Sequence, residues 1–270
     1  MLDGIRLTAY PTRSVQLKFV PGYYAPKFLR PEEPDERNSH LVVCGPCNFK
    51  CCYCDYHGNP EVGFRDFSDD DFRLVVRHLF RSGSRFKFTG GEPCLNVAIG
   101  DMLAFVKGMG GTVYLDSNGS FPGRLEKLVG SGLVDVVGLS LKGLSPEESM
   151  TNAGVTNRRL VWENPLAAIG ASLAASAEVI VIVTYIPMGG DVRQQVFEFA
   201  QLLERFGDRV RLKVNCIIAN PVNQHLQGAS GPELIAAATD LVNERQEWKG
   251  RVIVIPSQEA ITTASAIRFL

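Results

Sequence analysis

The stretch CNFKCCYC, residues 47 to 54, holds four cysteines in eight positions, and Cys44 lies just upstream. Thiolates are nucleophiles, disulfide partners or metal ligands, so this spacing must serve one of those chemistries. The opening residues MLDGIRLTAYPTR show no apolar core region and no small-residue cleavage pattern, which predicts a cytoplasmic chain. In that compartment thiols stay reduced, so the seven cysteines point to metal rather than to a disulfide framework. Two metal chemistries remain open. Two close cysteine pairs suit tetrahedral zinc, although the second pair of such a site normally arrives a dozen or so residues later, and here all five thiols share one loop. Alternatively, Cys47, Cys51 and Cys54 form C-x3-C-x2-C, a spacing that lets a short loop place three thiolates around one face of a 4Fe-4S cluster. Three ligands for four irons leave one iron open.

Such a loop works only if the elements on either side hold it still. With 270 residues and 45% apolar content, the chain can bury a full core as one large domain or two small ones. Its net charge of -1, without a lysine or arginine run, gives nucleic acid or anionic lipid nothing to attract it. The most apolar segment, PLAAIGASLAASAEVIVIVTYIP, is divided by Glu178 and by glycines and serines into an alanine-rich helix and a β-branched strand, not a membrane span.

Short β-branched runs alternate with longer amphipathic ones along the chain. The strand HLVVCG precedes the cysteines, and a helix over FSDDDFRLVVRHLFRSG follows them, with Ser68 as its cap and acids in its first turn. Strands RFKFTGG, TVYLDSNG, VDVVGLSLK, VIVIVTYIP, VRLKVNCII and RVIVI then alternate with helices. Strands joined through helices pair in parallel by right-handed crossovers, so a doubly wound sheet or a complete or partial barrel is expected. In both, chemistry sits at the carboxyl ends of the strands. The segments found there are the cysteine loop, TGGEP, DSNG, KGLSPEE and ANPVNQH.

CNFKCCYC followed one strand later by GGEP resembles the radical S-adenosylmethionine (radical SAM) superfamily, whose signature is C-x3-C-x2-C with an aromatic residue, here Tyr53, before the last cysteine. The resemblance covers roughly residues 40 to 220. It implies a partial (β/α)6 TIM-like barrel over residues 40–270; residues 1–39, proline-rich and poorly periodic, suit a strap over it or a substrate-facing flap. It implies that Cys47, Cys51 and Cys54 ligate one 4Fe-4S cluster whose open iron is chelated by the amino and carboxylate groups of S-adenosylmethionine. An electron, supplied by a reductant such as flavodoxin or ferredoxin, would then release a 5'-deoxyadenosyl radical that takes hydrogen from substrate. Gly90, Gly91, Glu92 and Pro93 map beside the methionine moiety.

YLDSNG and NAGVTNRR resemble the glycyl-radical-enzyme activases within that superfamily, which places Asp116, Ser117 and Asn118 at the cofactor's side. Lys142, with Ser140 where the activases carry aspartate, maps near the cofactor carboxylate. Other activase features are missing: PEEPDERNSH stands in place of a glycine-rich stretch, Thr184 in place of a strand arginine, and NCIIAN where a histidine is expected. The expected function is therefore hydrogen abstraction from a small molecule or peptide, with glycyl-radical activation of a partner enzyme as the alternative. A non-catalytic iron-sulfur or zinc protein is the reading from another class. Cys44, Cys52, Cys94 and Cys216 are scattered, which favours packing over a second cluster. His57 and His225 lie near strand ends but carry no pattern of their own.

Overall fold

The structure, a computed structural model, describes residues 15–21, 39–54, 65–184, 191–217, 223–226, 228–255 and 268–269. In chain order the strands are β1 Val15–Pro21, β2 Ser39–Cys44, β3 Arg65–Phe67, β4 Arg85–Gly90, β5 Thr112–Ser117, β6 Val136–Leu141, β7 Glu178–Thr184, β8 Val210–Asn215, β9 Val252–Ile255 and β10 Arg268–Phe269. The helices are α1 Asp69–Leu79, α2 Ile99–Gly108, α3 Pro122–Gly130, α4 Pro146–Ala153, α5 Asn164–Ala174, α6 Val192–Glu204 and α7 Gly231–Glu244. They form one sheet in the order β10-β9-β8-β7-β6-β5-β4-β2-β1-β3. Seven of its strands, β2 and β4 to β9, run parallel, the open sheet of a partial TIM-like barrel. No helix among the described residues is long and apolar enough to cross a membrane.

The alternation of each strand explains why the sheet has two unlike faces. Phe86 and Phe88, Val113 and Leu115, Val137 and Leu139, and Val179 and Val181 enter one apolar core with the helices. Their neighbours Lys87, Tyr114, Asp116, Gly138 and Ser140 take the other, concave face. Helix ends are set by local chemistry: Ser68 and Asp71 close a reciprocal cap on α1, and Ser230 with Glu233 does the same on α7.

Three strands, β1, β3 and β10, and one helix are not foreseen in the sequence. Val15–Pro21, inside the stretch expected to be a strap, pairs antiparallel with β2, and β3 pairs with β1; the rest of residues 1–38, like His57, lies outside the described residues. The segment KGLSPEE, expected as a loop, leads instead into α4. Ser145 caps it and Pro146 starts it, but its buried residues are Ser149, Asn152 and Ala153, so no apolar stripe announces it.

His40 on β2 is buried against the ring of Phe86, 4.8 Å between centroids. Burial, helped by the nearby Arg81 charge, lowers its pKa to about 4. As pH falls the unfolded chain binds this proton first, so the stability His40 contributes is whole above about pH 6.5 and is lost towards pH 4. Thermal melts of His40→Phe are expected to show a flatter decline over that window than the parent, by on the order of 2 kcal/mol. Parallel declines for the two proteins would refute the assignment.

Candidate functional site

The cysteine loop leaves β2 at Cys44 and is fixed from two sides. On one side the turn after β4 closes on it: Gly91 N–H donates to the Cys44 carbonyl, and Glu92 N–H to the Pro46 carbonyl at 2.8 Å. This approach needs both glycines. Gly90 has φ +107°, and a Cβ there would come within 2.6 Å of the Cys44 carbonyl oxygen; a Cβ on Gly91 would come within 2.2 Å of the Pro46 oxygen.

On the other side α4 holds the loop. Lys50 N–H donates to Ala153 O at 2.9 Å and Cys52 N–H to Asn152 O at 3.2 Å. Phe49, buried between Cys47 and Cys51, packs with Ala153 and Val161 in a small apolar cluster separate from the main core. Gly154, at φ +61°, ends α4 where a Cβ would meet the Lys50 carbonyl at 2.7 Å. The segment NAGVTNRR thus buttresses the thiol loop.

Glu92 is fully buried and ties the strand ends together. Its Oε1 accepts from Cys94 N–H at 3.0 Å and from Ser117 Oγ–H at 2.8 Å, while Oε2 accepts from Asn118 N–H at 2.6 Å. Burial raises its pKa above the ordinary carboxylate value, while these donors pull it down. Asn118 Nδ2 in turn donates to Asn48 Oδ1 at 2.8 Å and reaches Cys47 Sγ at 4.0 Å, and Phe49 N–H donates to the same sulfur at 3.4 Å. Ser120 closes the network on Asn118 Oδ1 and Asn48 Nδ2. Pro93 opens a short 3-10 turn whose carbonyls Arg124 clamps from α3, at 2.6 Å to Cys94 O and to Asn96 O.

A second group surrounds Lys142 at the end of β6. Its ammonium lies 5.6 Å from the centroid of the Tyr53 ring, and Asn152 Nδ2 donates to its carbonyl at 2.7 Å. Burial pushes the Cys51 thiol up, with the Lys142 charge opposing; burial likewise pushes Cys47 up to about 11. Asn223, past β8, donates to the Tyr53 carbonyl at 3.2 Å, so a third strand end reaches the loop.

The structure therefore joins Cys47, Glu92, Ser117 and Asn118 in one network, and Cys51, Tyr53 and Lys142 in another. Asp116 stands apart: its Oδ2 lies 2.7 Å from Lys87 Nζ and accepts from Thr89 at 3.0 Å on the concave face, where alternation along β6 also places Ser140. Cys44, Cys94 and Cys216 pack in the main core, and His225 is exposed. Sequence reading overlooked Asn48, Ser120, Asn152 and Phe49, which support the site without carrying a chemical signature. It also overlooked Lys87 and Lys213, which interrupt otherwise apolar strands.

Among the described residues no three Cys, His, Asp or Glu side chains stand together as a ready ligand set. The donor chemistry of the loop nonetheless fits a cluster. Three thiols share it, the Cys47 sulfur already accepts two N–H groups, and the Lys142 charge favours the thiolate at Cys51. With Cys47 and Cys51 pushed up by burial, metal binding must release their protons.

Comparison with known proteins agrees with this geometry. Residues 41–203 match the family described as Radical SAM superfamily. A GTP 3',8-cyclase of Heliobacterium modesticaldum is 31% identical over 63% of this chain and 52% of its own length. A protein of Methanocaldococcus jannaschii named for glycyl-radical enzyme activation is 31% identical over 40% of this chain and 44% of its own. The chain spans about half the length of these relatives. Among solved structures, anSMEcpe with bound AdoMet has a TM-score of 0.57 at 16% identity, covering 73% of this chain and 55% of that one. Streptococcus suis SuiB bound to S-adenosylmethionine has 0.55 at 16%, covering 74% and 43%. At these identities the likeness is one of fold.

Proposed function

The chain belongs to the radical SAM superfamily, whose members are enzymes, and from that premise we propose that it cleaves S-adenosylmethionine to abstract hydrogen from a small molecule or a peptide. The observation that carries this reading is the closure of the GGE turn onto the start of the cysteine loop, through Gly91 and Glu92 to Cys44 and Pro46. That contact brings the backbone of Gly90 and Gly91 beside the loop whose three thiols, Cys47, Cys51 and Cys54, would hold a 4Fe-4S cluster. When bound, the cluster supplies the electron that splits the sulfonium, and S-adenosylmethionine supplies the 5'-deoxyadenosyl group that takes the hydrogen.

This chain's residues position and shield. Gly90 and Gly91 would expose backbone to the methionine moiety and Lys142, beside Tyr53, would offer a cation to its carboxylate, with Ser140 on the same face of β6 by alternation. Glu92, Ser117 and Asn118 hold the strand ends at fixed spacing, and Asn118 with the Phe49 N–H supports the Cys47 sulfur. The electron comes from an external reductant such as flavodoxin or ferredoxin.

The alternative is activation of a glycyl radical enzyme, and the relative from Methanocaldococcus jannaschii favours it. The activase-like NAGVTNRR, however, is accounted for by its contacts with the cysteine loop, at Ala153 and Gly154. It is then a support for the cluster rather than a mark of a protein substrate.

Anaerobically reconstituted protein reduced with dithionite is expected to release 5'-deoxyadenosine and methionine from S-adenosylmethionine, and to leave no persistent glycyl doublet in the electron paramagnetic resonance spectrum of a co-incubated glycyl radical enzyme. Such a doublet would transfer the assignment to the activase reading. Absence of 5'-deoxyadenosine from iron-replete protein would remove both.

A further inference from the structure

The two supports of the cysteine loop serve different sides. The turn after β4 meets the loop where the cofactor would bind. The support from α4 ends at the surface: Gly154, Thr156, Asn157, Arg158 and Arg159 are all exposed, and so is Lys50 of the loop itself. Lys50 stands against the end of α4, where a Cβ on Gly154 would come within 2.7 Å of its carbonyl oxygen and 3.2 Å of its own Cβ. Five residues beyond Gly154 the chain enters a π-helical turn, Arg159–Glu163. Such turns are rare and recur at functional sites.

This rim is basic in a chain whose net charge is -1. From Thr151 to Glu163 the sequence holds two arginines and one acid, and Lys50 adds a third cation. Glu163 is set against Arg158 at 3.3 Å, so Lys50 and Arg159 give the rim a surplus of positive charge. The acids Glu147 and Glu148 lie at the opposite, amino end of α4.

Beneath the rim lies the small apolar cluster. Met150, Leu160 and Trp162 are partly buried against Phe49, Ala153 and Val161, and Cys47 and Cys51 pack against the same three residues. The surface and two of the three thiols that would hold the cluster therefore share one continuous packed layer. Pinning the loop requires that apolar layer, but it does not require cations around its edge. Electron tunnelling weakens steeply with distance and with gaps between atoms, so a packed path to ligand sulfurs favours electron entry here. Arginine, tryptophan and methionine are also the residue types enriched where proteins dock.

We propose that this rim, with Lys50, Arg158 and Arg159 around the layer of Phe49 and Trp162, is where a small acidic electron-carrier protein docks to reduce the cluster. The carrier is oxidised by one electron and the cluster is reduced by one, with no proton or group transferred. A negatively charged carrier fits because a surplus of cations at a rim steers encounter and fixes orientation. The proposal rests on the reading that this chain holds a reducible 4Fe-4S cluster, and it names the face through which the electron arrives.

Stopped-flow reduction of the reconstituted protein tests it, with a pre-reduced acidic flavodoxin and a pre-reduced acidic ferredoxin as protein probes, and dithionite as a reductant that needs no docking face. The readout is the carrier rate divided by the dithionite rate in each variant, so a variant that merely loads less cluster leaves it unchanged. In the double variant Lys50→Glu with Arg159→Glu this ratio is expected to fall roughly tenfold or more at low salt. The gap to the parent is expected to close as ionic strength rises from about 0.05 to about 0.5 M. Lys249→Glu alters an exposed lysine just before β9, at the amino ends of the parallel strands, and is expected to leave the ratio unchanged. A ratio indifferent to the double reversal, an equal fall in Lys249→Glu, or a parent that dithionite reduces and neither carrier does, would each overturn the proposal. Dithionite-driven release of 5'-deoxyadenosine bypasses the rim, so its persistence beside any of these results sinks the docking face alone. Iron-replete protein that no reductant reduces loses the enzymatic reading and this face together.

Discussion

Cys51→Ala is expected to fold like the parent and, after anaerobic reconstitution, to release no 5'-deoxyadenosine above background. The fold should survive because Cys51 sits at the rim of the small cluster around Phe49, while the loop is pinned through other residues: Lys50 and Cys52 by their N–H groups to α4, and Gly91 and Glu92 to Cys44 and Pro46. The activity should not survive because Cys51 is the middle thiol of the C-x3-C-x2-C spacing that would hold the cluster. Losing a supporting hydrogen bond to a metal ligand costs roughly 10- to 100-fold, and losing the ligand itself must cost more than that. Iron content, near-ultraviolet absorption by the cluster and product release, measured on one preparation, check the prediction. A variant that keeps its iron and still cleaves S-adenosylmethionine would remove Cys51 from the ligand set.

Glu92→Ala carries the largest expected effect on stability. The carboxylate satisfies three buried donors at once, from Cys94, Ser117 and Asn118, and alanine would leave all three in a site without exposure. Each unsatisfied donor costs about 1–3 kcal/mol, and with some relief from water the sum is on the order of 4 kcal/mol, a drop in Tm of roughly 10 °C. The consequence for function follows from the same bonds. Asn118 loses the contact that sets its backbone, and through its Nδ2 the support of the Cys47 sulfur. Glu92→Gln keeps one acceptor but turns an amide NH2 towards a donor, so its loss should be smaller. Thermal melts with iron retention on gel filtration distinguish the two variants, and an Ala variant as stable as the parent would show that Glu92 does not hold the strand ends.

The parallel core was legible because fully buried strands are written as near-continuous β-branched runs such as VIVIV and RVIVI, separated by helices with their own period. Most of what escaped was too short or too polar to carry a period; β1, VQLKFVP, does alternate but stands in a proline-rich stretch that reads as a strap. Strands β3 and β10 have three and two residues, and α4 buries serine, asparagine and alanine. For the site, cysteine spacing and GGEP announce themselves as residue types, whereas the parts that hold them do not. Phe49 reads as any core aromatic, and Asn118, Asn48 and Ser120 read as a turn until their hydrogen bonds are seen. Lys87 and Lys213 were passed over because lysine in a strand ordinarily marks the solvent side. Only their burial, at 5% exposure each, shows that these two point inward.

The central claim is that three thiols of one loop hold a cluster and leave one iron for S-adenosylmethionine. Electron paramagnetic resonance of the reconstituted, dithionite-reduced protein, recorded with and without S-adenosylmethionine, tests it most directly. The account predicts about four irons per chain and a reduced-cluster signal whose g-values move when the nucleotide is added. Zinc in place of iron, or a cluster signal indifferent to S-adenosylmethionine, would contradict it.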